Sequence, residues 1–489
     1  MAPTLTITPA DALIDVPRQI RVENVAPGQT VHITARTRRN GVLWQAQAAY
    51  TAGEDGVVDL TRDAPISGDY TGLSPMGLIW SQAPVDSPSR EHFNHPVTDA
   101  LVTDVVARVG AVDGGAVDGG AEAGAEAGAD AGIAADMQAQ ATFTQRLALD
   151  GVTRHEVREE GLVGTLYLPA GSKPGSHPAV MILNGSGGGI NEPRAALYAS
   201  RGYAAFALAY FKAPGLSDYI SNTPLEYFQT GLRWLRKKVQ PKHDFVAISG
   251  QSRGGELVLL LGATFPKEVS AVVAYVPGAV VHSGQNACDP EIGREGPTWL
   301  LDGKPIPHVW ENNRTATWAP FDEGPSPHRH EKAILTALQD PDAVARARIR
   351  VEDIEGPVML LSGTDDGSWP SSLYSKMVQD KLVEVKHPYP VEWLDYENGG
   401  HSILFPYVPT TQLVYAHPVS GKISTSGGNP KDNARADQES WEGVKKFLDA
   451  AVKARAAAVA SASADSGRSD SPSSQSAAAQ STSTSGNAG

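Results

Sequence analysis

The sequence predicts an α/β fold on a mostly parallel sheet, preceded by an immunoglobulin-like β-sandwich. Three observations carry this. The first hundred residues hold short runs that alternate polar and apolar side chains between turn residues. From about residue 152, apolar strands alternate with helices. Within that second part, Gly250-Gln251-Ser252-Arg253-Gly254 joins an apolar strand to a helix.

At 489 residues the chain exceeds what one core usually serves. The expected division is a sandwich over 1–150, an α/β domain over 151–455 and a disordered Ala/Ser-rich tail over 456–489. The sandwich strands read at Leu5–Thr8, Gln19–Val22, Thr30–Ala35, Trp44–Ala48 and Val57–Leu60. Turns such as Ala26-Pro27-Gly28 and Arg39-Asn40-Gly41 separate them. A Gly/Ala-rich stretch over about 111–140 repeats Ala-Val-Asp-Gly-Gly and then Ala-Glu-Ala-Gly. It has almost no large apolar side chain to offset its ordering entropy, so a flexible insertion is expected, with further sandwich strands beyond it around Ala141–Leu149.

In the second part, strands are expected at Gly164–Pro169, Ala179–Leu183, Tyr203–Leu208, Ala271–Tyr275 and Val358–Ser362. Helices are expected at Arg194–Arg201, Pro224–Val239 and about Gln438–Val452. Strands that are apolar on both faces need helices on both sides, which a parallel sheet provides.

Net charge is −14, which argues against general nucleic-acid binding. Cys288 is the sole cysteine, so no intrachain disulfide and no Cys-rich metal site can form. The sequence calls for no cofactor and no metal. The first residues lack the basic start and apolar stretch of a signal peptide, and no apolar run has the length of a membrane span. A cytoplasmic protein is expected.

The run around Ser252 follows the apolar Phe245–Ile248 and precedes the helix start Glu256–Leu261. Strand, tight Gly-x-Ser-x-Gly turn and helix make the nucleophile elbow of α/β-hydrolases. The turn lifts the hydroxyl above the sheet and sets the amide of Arg253 where an oxyanion would form. A serine needs a base, and the base an orienting acid. In this fold the chain order is Ser, Asp or Glu, then His. Asp366 follows the strand Val358–Ser362, where catalytic groups gather at strand carboxyl ends. Its neighbour Asp365 competes; Asp366 is preferred because the acid in this fold often sits three residues beyond the strand-ending glycine. His401 lies on a Gly-rich loop after Val391–Tyr396 and can reach over the sheet to the serine.

The second oxyanion donor is expected from Asn184–Gly189, after the strand Ala179–Leu183, through the amides of Ser186 and Gly187. That loop has neither the P-loop ending nor the dinucleotide-binding spacing. His328-Arg329-His330 resembles a metal pair, but without supporting ligands it reads as a solvated loop. Cys288 sits on a polar segment without an elbow and reads as a passive thiol. The basic cluster Arg233, Arg236, Lys237, Lys238 and Lys242 precedes the elbow strand and reads as a solvated face.

Several segments together resemble one family. They are Asp63-Ala64-Pro65, Tyr70-Thr71-Gly72 and Pro75-Met76-Gly77-Leu78-Ile79-Trp80; Gly185–Gly189 with Arg194-Ala195; Ala207–Phe211; the elbow; Asp365-Asp366 with Trp369; and Gly400-His401. The chain is similar to the type I acyl-CoA thioesterases and bile acid-CoA:amino acid N-acyltransferases, nearly everywhere outside the insertion and tail. The resemblance implies a sandwich followed by an α/β-hydrolase domain, and an acyl-CoA substrate cleaved to free fatty acid and CoA. In that family the conjugating enzymes carry cysteine at the nucleophile position and the thioesterases serine, so Ser252 points to hydrolysis. Gln251, Arg253, the insertion and the tail depart from the animal enzymes, and the last two suggest a GC-rich bacterial source. The alternatives are a carboxylesterase or acyl transfer to an amine on this scaffold, or a binding protein with an inactive hydrolase domain.

Overall fold

The structure is a computed structural model that describes residues 2–86, 95–110 and 137–468. The N-terminal part has two sheets over one core. Thr4–Thr8, Gln19–Glu23 and Val58–Asp59 form a three-stranded sheet. The larger sheet runs in the order Asp11–Leu13, Gln138–Arg146, Leu101–Val109, Thr30–Arg39, Val42–Thr51 and Ser67–Gly68. Alternation decides which side chains meet. Leu5, Ile7, Ile20 and Val22 of the small sheet share a core with Val31, Ile33, Ala35, Val105 and Ala107 of the large one.

Two expectations are corrected here, and one strand is added. The strand Leu101–Val109 was not read from the sequence. Its polar Thr103 is buried and bonds Thr37 at 2.7 Å, which hides its apolar period. The strand expected beyond the insertion begins earlier, at Gln138, so residues 138–140 are not part of a flexible segment; positions 111–136 lie outside the described residues. The last helix runs Pro430–Arg468, so residues 456–468 are helical rather than the start of a disordered tail. Alanine, the best helix former, is the commonest residue of that extension. Residues 469–489 of the expected tail lie outside the described residues.

The second part is built on an eight-stranded sheet. In chain order its strands are β1 (Thr153–Val157), β2 (Val163–Leu168), β3 (Ala179–Leu183), β4 (Ala204–Ala209), β5 (Val246–Gln251), β6 (Ala271–Tyr275), β7 (Val358–Gly363) and β8 (Val391–Tyr396). They lie in the order β1-β2-β4-β3-β5-β6-β7-β8. Only β2 pairs antiparallel to its neighbours; the other pairings are parallel. This is an α/β-hydrolase sheet. Period-2 alternation gives each central strand two apolar faces. Met181, Leu183, Phe206, Ile248 and Val272 face the helices Leu225–Val239, Arg253–Thr264 and Ser371–Glu384. Val180, Ile182, Ala205, Ala247 and Val273 face Glu192–Ser200 and Pro430–Arg468.

The two parts meet beside the loop that carries His401. The buried helix Gly77–Trp80 lies against it, with Trp80 O accepting from Thr410 N at 2.9 Å. Gln145 Nε2 donates to Tyr407 O at 3.0 Å, and Tyr407 itself enters the sandwich core. Deeper in, buried Asp15 accepts from Trp441 Nε1 at 2.8 Å and from Arg201 Nε at 2.8 Å. Among the described residues, no helix is long and apolar enough to cross a membrane.

Candidate active site

The elbow is a tightly constrained turn. Ser252 leaves β5 with φ 59° and ψ −119°, a conformation that side chains rarely adopt and that costs about 1–3 kcal/mol. Two contacts enforce it. The Ser252 amide donates to Tyr275 O of β6 at 2.9 Å. The flanking glycines let backbone touch backbone: a Cβ on Gly250 would lie 2.1 Å from Gly254 O, and one on Gly254 would lie 2.6 Å from both Leu183 O and Asn184 O.

The strained turn holds the hydroxyl against His401. Ser252 Oγ is 2.7 Å from His401 Nε2, and His401 Nδ1 is 2.8 Å from Asp366 Oδ2. The other oxygen of Asp366 accepts from the amides of Ser368 at 2.8 Å and Trp369 at 3.1 Å. Both carboxylate oxygens are therefore engaged, and the buried Asp366 cannot swing away from the imidazole. Asp365 turns elsewhere. It pairs with Arg329 at 3.0 Å and accepts from Gly428 N at 3.0 Å. One segment ties the acid loop to the base loop: Ser426 O accepts from Gly367 N at 3.0 Å and from His401 N at 2.8 Å.

The loop after β3 stands beside the nucleophile, since a Cβ on Gly185 would lie 3.7 Å from Ser252 Oγ. Gly185 N donates to Asn184 Oδ1 at 3.1 Å, Gly188 N to Gly185 O at 3.1 Å and Gly189 N to Phe211 O at 3.0 Å. Among the described residues, the amides of Ser186, Gly187 and Arg253 have no protein acceptor. Ser252, His401, Ser186, Gly187 and Arg253 all line one cavity of about 710 Å³.

Family profiles match both parts of the chain. The profile described as "Acyl-CoA thioester hydrolase/BAAT N-terminal region" matches residues 15–159. The one described as "BAAT / Acyl-CoA thioester hydrolase C terminal" matches residues 223–454. Acyl-coenzyme A thioesterase 1 of Rattus norvegicus is 30% identical over 450 residues, covering 92% of this chain and 96% of that protein. The chain belongs to the acyl-CoA thioester hydrolase/BAAT family. Acyl-coenzyme A thioesterase 6 of Mus musculus is 29% identical over 461 residues, with 92% and 96% covered. The mitochondrial acyl-coenzyme A thioesterase 2 of Homo sapiens is 30% identical over 455 residues, with 92% and 84% covered.

In this member of the acyl-CoA thioester hydrolase/BAAT family, a buried ionic group lies directly behind the elbow. Arg253, the residue after the nucleophile, folds its guanidinium inward. It donates to Glu256 at 3.2 Å, Ser283 O at 2.9 Å and Gln285 Oε1 at 3.2 Å. Glu256 also accepts from His282 Nδ1 at 2.7 Å and Trp299 Nε1 at 2.9 Å, and His282 Nε2 meets Tyr374 OH at 2.8 Å. Burial pushes the Glu256 carboxyl up, but Arg253 and His282 beside it outweigh that and hold it below the usual range. Burial keeps His282 below its ordinary value despite the carboxylate. Trp369 links this group to the site. It packs against His282 at 4.8 Å and presents an edge to His401 at 6.0 Å.

Other sequence readings fare differently. His330 is no solvated loop residue. It is buried, stacks on Trp318 at 5.7 Å and lines the cavity, and burial lowers its pKa to about 3. Arg329 beside it pairs with Asp365 and Glu331. Among the described residues, no group of three or more His, Cys, Asp or Glu is arranged to hold a metal ion. Cys288 is half-buried, and burial raises its thiol pKa. In the basic cluster, Arg233 and Arg236 pair with Glu268, and Lys238 with Glu159. Sequence reasoning missed the hairpin of Val414–Ala416 and Ile423–Thr425, which brings Tyr415 and His417 to the cavity wall. It also missed Glu256, although a carboxylate within Gly255–Leu261, an otherwise apolar helical run, signals a buried partner.

Proposed function

We propose that this chain hydrolyses fatty acyl-CoA to free fatty acid and CoA, with Ser252 as nucleophile, His401 as general base and Asp366 as its orienting acid. The enzyme is a hydrolase acting on thioesters, as its family is. The observation that carries the finer reading is the hydrogen-bonded series Ser252–His401–Asp366 opening on one cavity.

The steps follow from the donors and acceptors. The Asp366 carboxylate accepts the Nδ1 proton of His401, so Nε2 presents its lone pair to the serine hydroxyl. Ser252 Oγ attacks the thioester carbonyl as its proton passes to Nε2. Negative charge builds on the carbonyl oxygen, where the amides of Arg253, Ser186 and Gly187 donate; such donors act without reorganising. Collapse breaks the carbon–sulfur bond, and the CoA thiolate leaves with the proton held by His401. Water then gives a proton to His401 and attacks the acyl-serine, releasing the acid and restoring the serine.

The test is CoA release from palmitoyl-CoA and from a short-chain acyl-CoA, with wild type beside Ser252→Ala. Loss of at least about 10³-fold in kcat in the variant is expected. Wild-type turnover that survives the substitution rejects Ser252 as nucleophile. Turnover that appears only when glycine or taurine is added assigns acyl transfer to an amine instead.

A further inference from the structure

We propose that the side chain of Ser186 donates a further hydrogen bond to the oxyanion, beside those of the amides, and that His417 is the positioning residue that aims it. The inference rests on the serine-hydrolase reading above and extends it from the loop's amides to a side chain.

The argument turns on a tautomer. His417 is buried on the hairpin over the site. Its Nδ1 lies 3.2 Å from Val419 N and 3.3 Å from Ser420 N. Both are amides and only donate, so Nδ1 is the acceptor. In the neutral ring the proton is then on Nε2, which lies 3.0 Å from Ser186 Oγ. His417 therefore donates to the serine oxygen, and the hydroxyl proton must point elsewhere. Among the described residues, that proton has no protein acceptor. Ser186 lines the cavity, beside Gly185 and the nucleophile.

The hydroxyl and the amide of one serine are separated by two carbons. Both can therefore reach a single oxygen. The amide of Ser186 already stands among the donors for the oxyanion, so the hydroxyl is directed to that same oxygen. No proton is transferred: Ser186 keeps its hydrogen through both acyl transfers. A bond received from His417 polarises the hydroxyl and strengthens the one it gives.

The experiment compares wild type, Ser186→Ala, Ser186→Thr, His417→Phe and the Ser186→Ala/His417→Phe double variant. Two rates are read: CoA release from palmitoyl-CoA, and labelling of Ser252 by a fluorophosphonate, which also puts charge on an oxygen in the same hole. Ser186→Ala is expected to lower kcat and the labelling rate together by about 10- to 100-fold, with KM within about threefold and an unchanged Tm. Ser186→Thr, which keeps the hydroxyl, recovers most of the loss. His417→Phe slows wild type but adds nothing in the Ser186→Ala background, because the two act as a unit. The proposal is overturned if Ser186→Ala labels within twofold of wild type, or if the two substitutions multiply independently. Should Ser186→Ala not fold, His417→Phe set against Ser186→Thr decides in the same way: equal labelling by the two overturns it. If wild type is labelled quickly but releases no CoA, the thioesterase reading fails while the labelling comparison still decides this one. If wild type is not labelled at all, both fall.

Discussion

Asp366 Oδ2 lies 2.8 Å from Nδ1 of His401, while the adjacent carboxylate of Asp365 faces Arg329 and the amide of Gly428. Two neighbouring acids thus have separate tasks: one faces the imidazole, the other ties the acid loop to its neighbours. Replacing Asp366 by Asn keeps the shape but no longer fixes the tautomer, and kcat is expected to fall about 10⁴-fold. Asp365→Asn is expected to stay within about threefold in kcat, with its cost in Tm, as an ion-pair loss at a half-exposed side chain. Steady-state kinetics of both variants decide. The reverse order of effects would make Asp365 the orienting acid.

The backbone approach at Gly254 leaves no room for a methyl group, because the obstructing atoms are main-chain oxygens of Leu183 and Asn184. Gly254→Ala is expected to lower stability by about 1–3 kcal/mol. The helix must shift to admit it and carries Ser252 with it, and a displacement near 1 Å lowers reactivity about 10²-fold. Fluorophosphonate labelling beside a thermal melt checks both. Wild-type values in both assays would mean that the loop after β3 does not pack on the elbow as described.

The parts of this site legible in the sequence are those fixed by local rules. Ser252 shows because an elbow needs glycines on each side and a strand and helix around it, all within a dozen residues. Asp366 and His401 show because each follows a strand of the sheet, and strand ends converge. His417 does not show. It is one of 13 histidines, and only the pairing of Val414–Ala416 with Ile423–Thr425 brings it to Ser186. His330 was misread for the same reason: its burial depends on Trp318 and Phe321, and no periodicity reveals such packing. The strand Leu101–Val109 was hidden because buried Thr103 breaks its apolar alternation. The last helix was cut short because alanine and serine were read as low complexity, although alanine favours helix wherever a packed turn nucleates it.

Glu256 and Arg253 form a buried ion pair whose value lies in balance rather than strength. Both side chains are almost wholly buried, at 0% and 3% exposure. Removing one partner leaves the other charged in a low-dielectric interior, which costs about 3–5 kcal/mol. Glu256→Gln is therefore expected to lower unfolding stability by about that amount, with Arg253→Met added to it restoring part. Denaturant titration of the three proteins measures this. If Glu256→Gln is as stable as wild type, the guanidinium is neutralised by some other group.

Four buried histidines contribute to the response to acid. His95, His282, His308 and His330 all have lowered pKa values, with burial as the largest cause, and His330 falls to about 3 from an ordinary 6.5. As pH drops below 6.5, the unfolded chain takes up protons on these rings and the folded protein does not. The unfolded state binds more protons throughout that window, so stability falls as the solution is acidified. For His330 the loss continues down to about pH 3, where the folded ring also titrates. Above the unfolded value neither state is protonated, and this dependence disappears. For His330 this amounts to about 1.4 kcal/mol per pH unit between the two values, once the unfolded form is fully protonated. His330→Phe, which keeps the stacking on Trp318, is expected to reduce the slope of stability between pH 5.5 and 4.5 by about that amount. Unfolding free energies of both proteins across that range give the comparison. Parallel slopes would mean that His330 is protonated in the folded protein and that the cavity wall it lines is wetter than its burial implies.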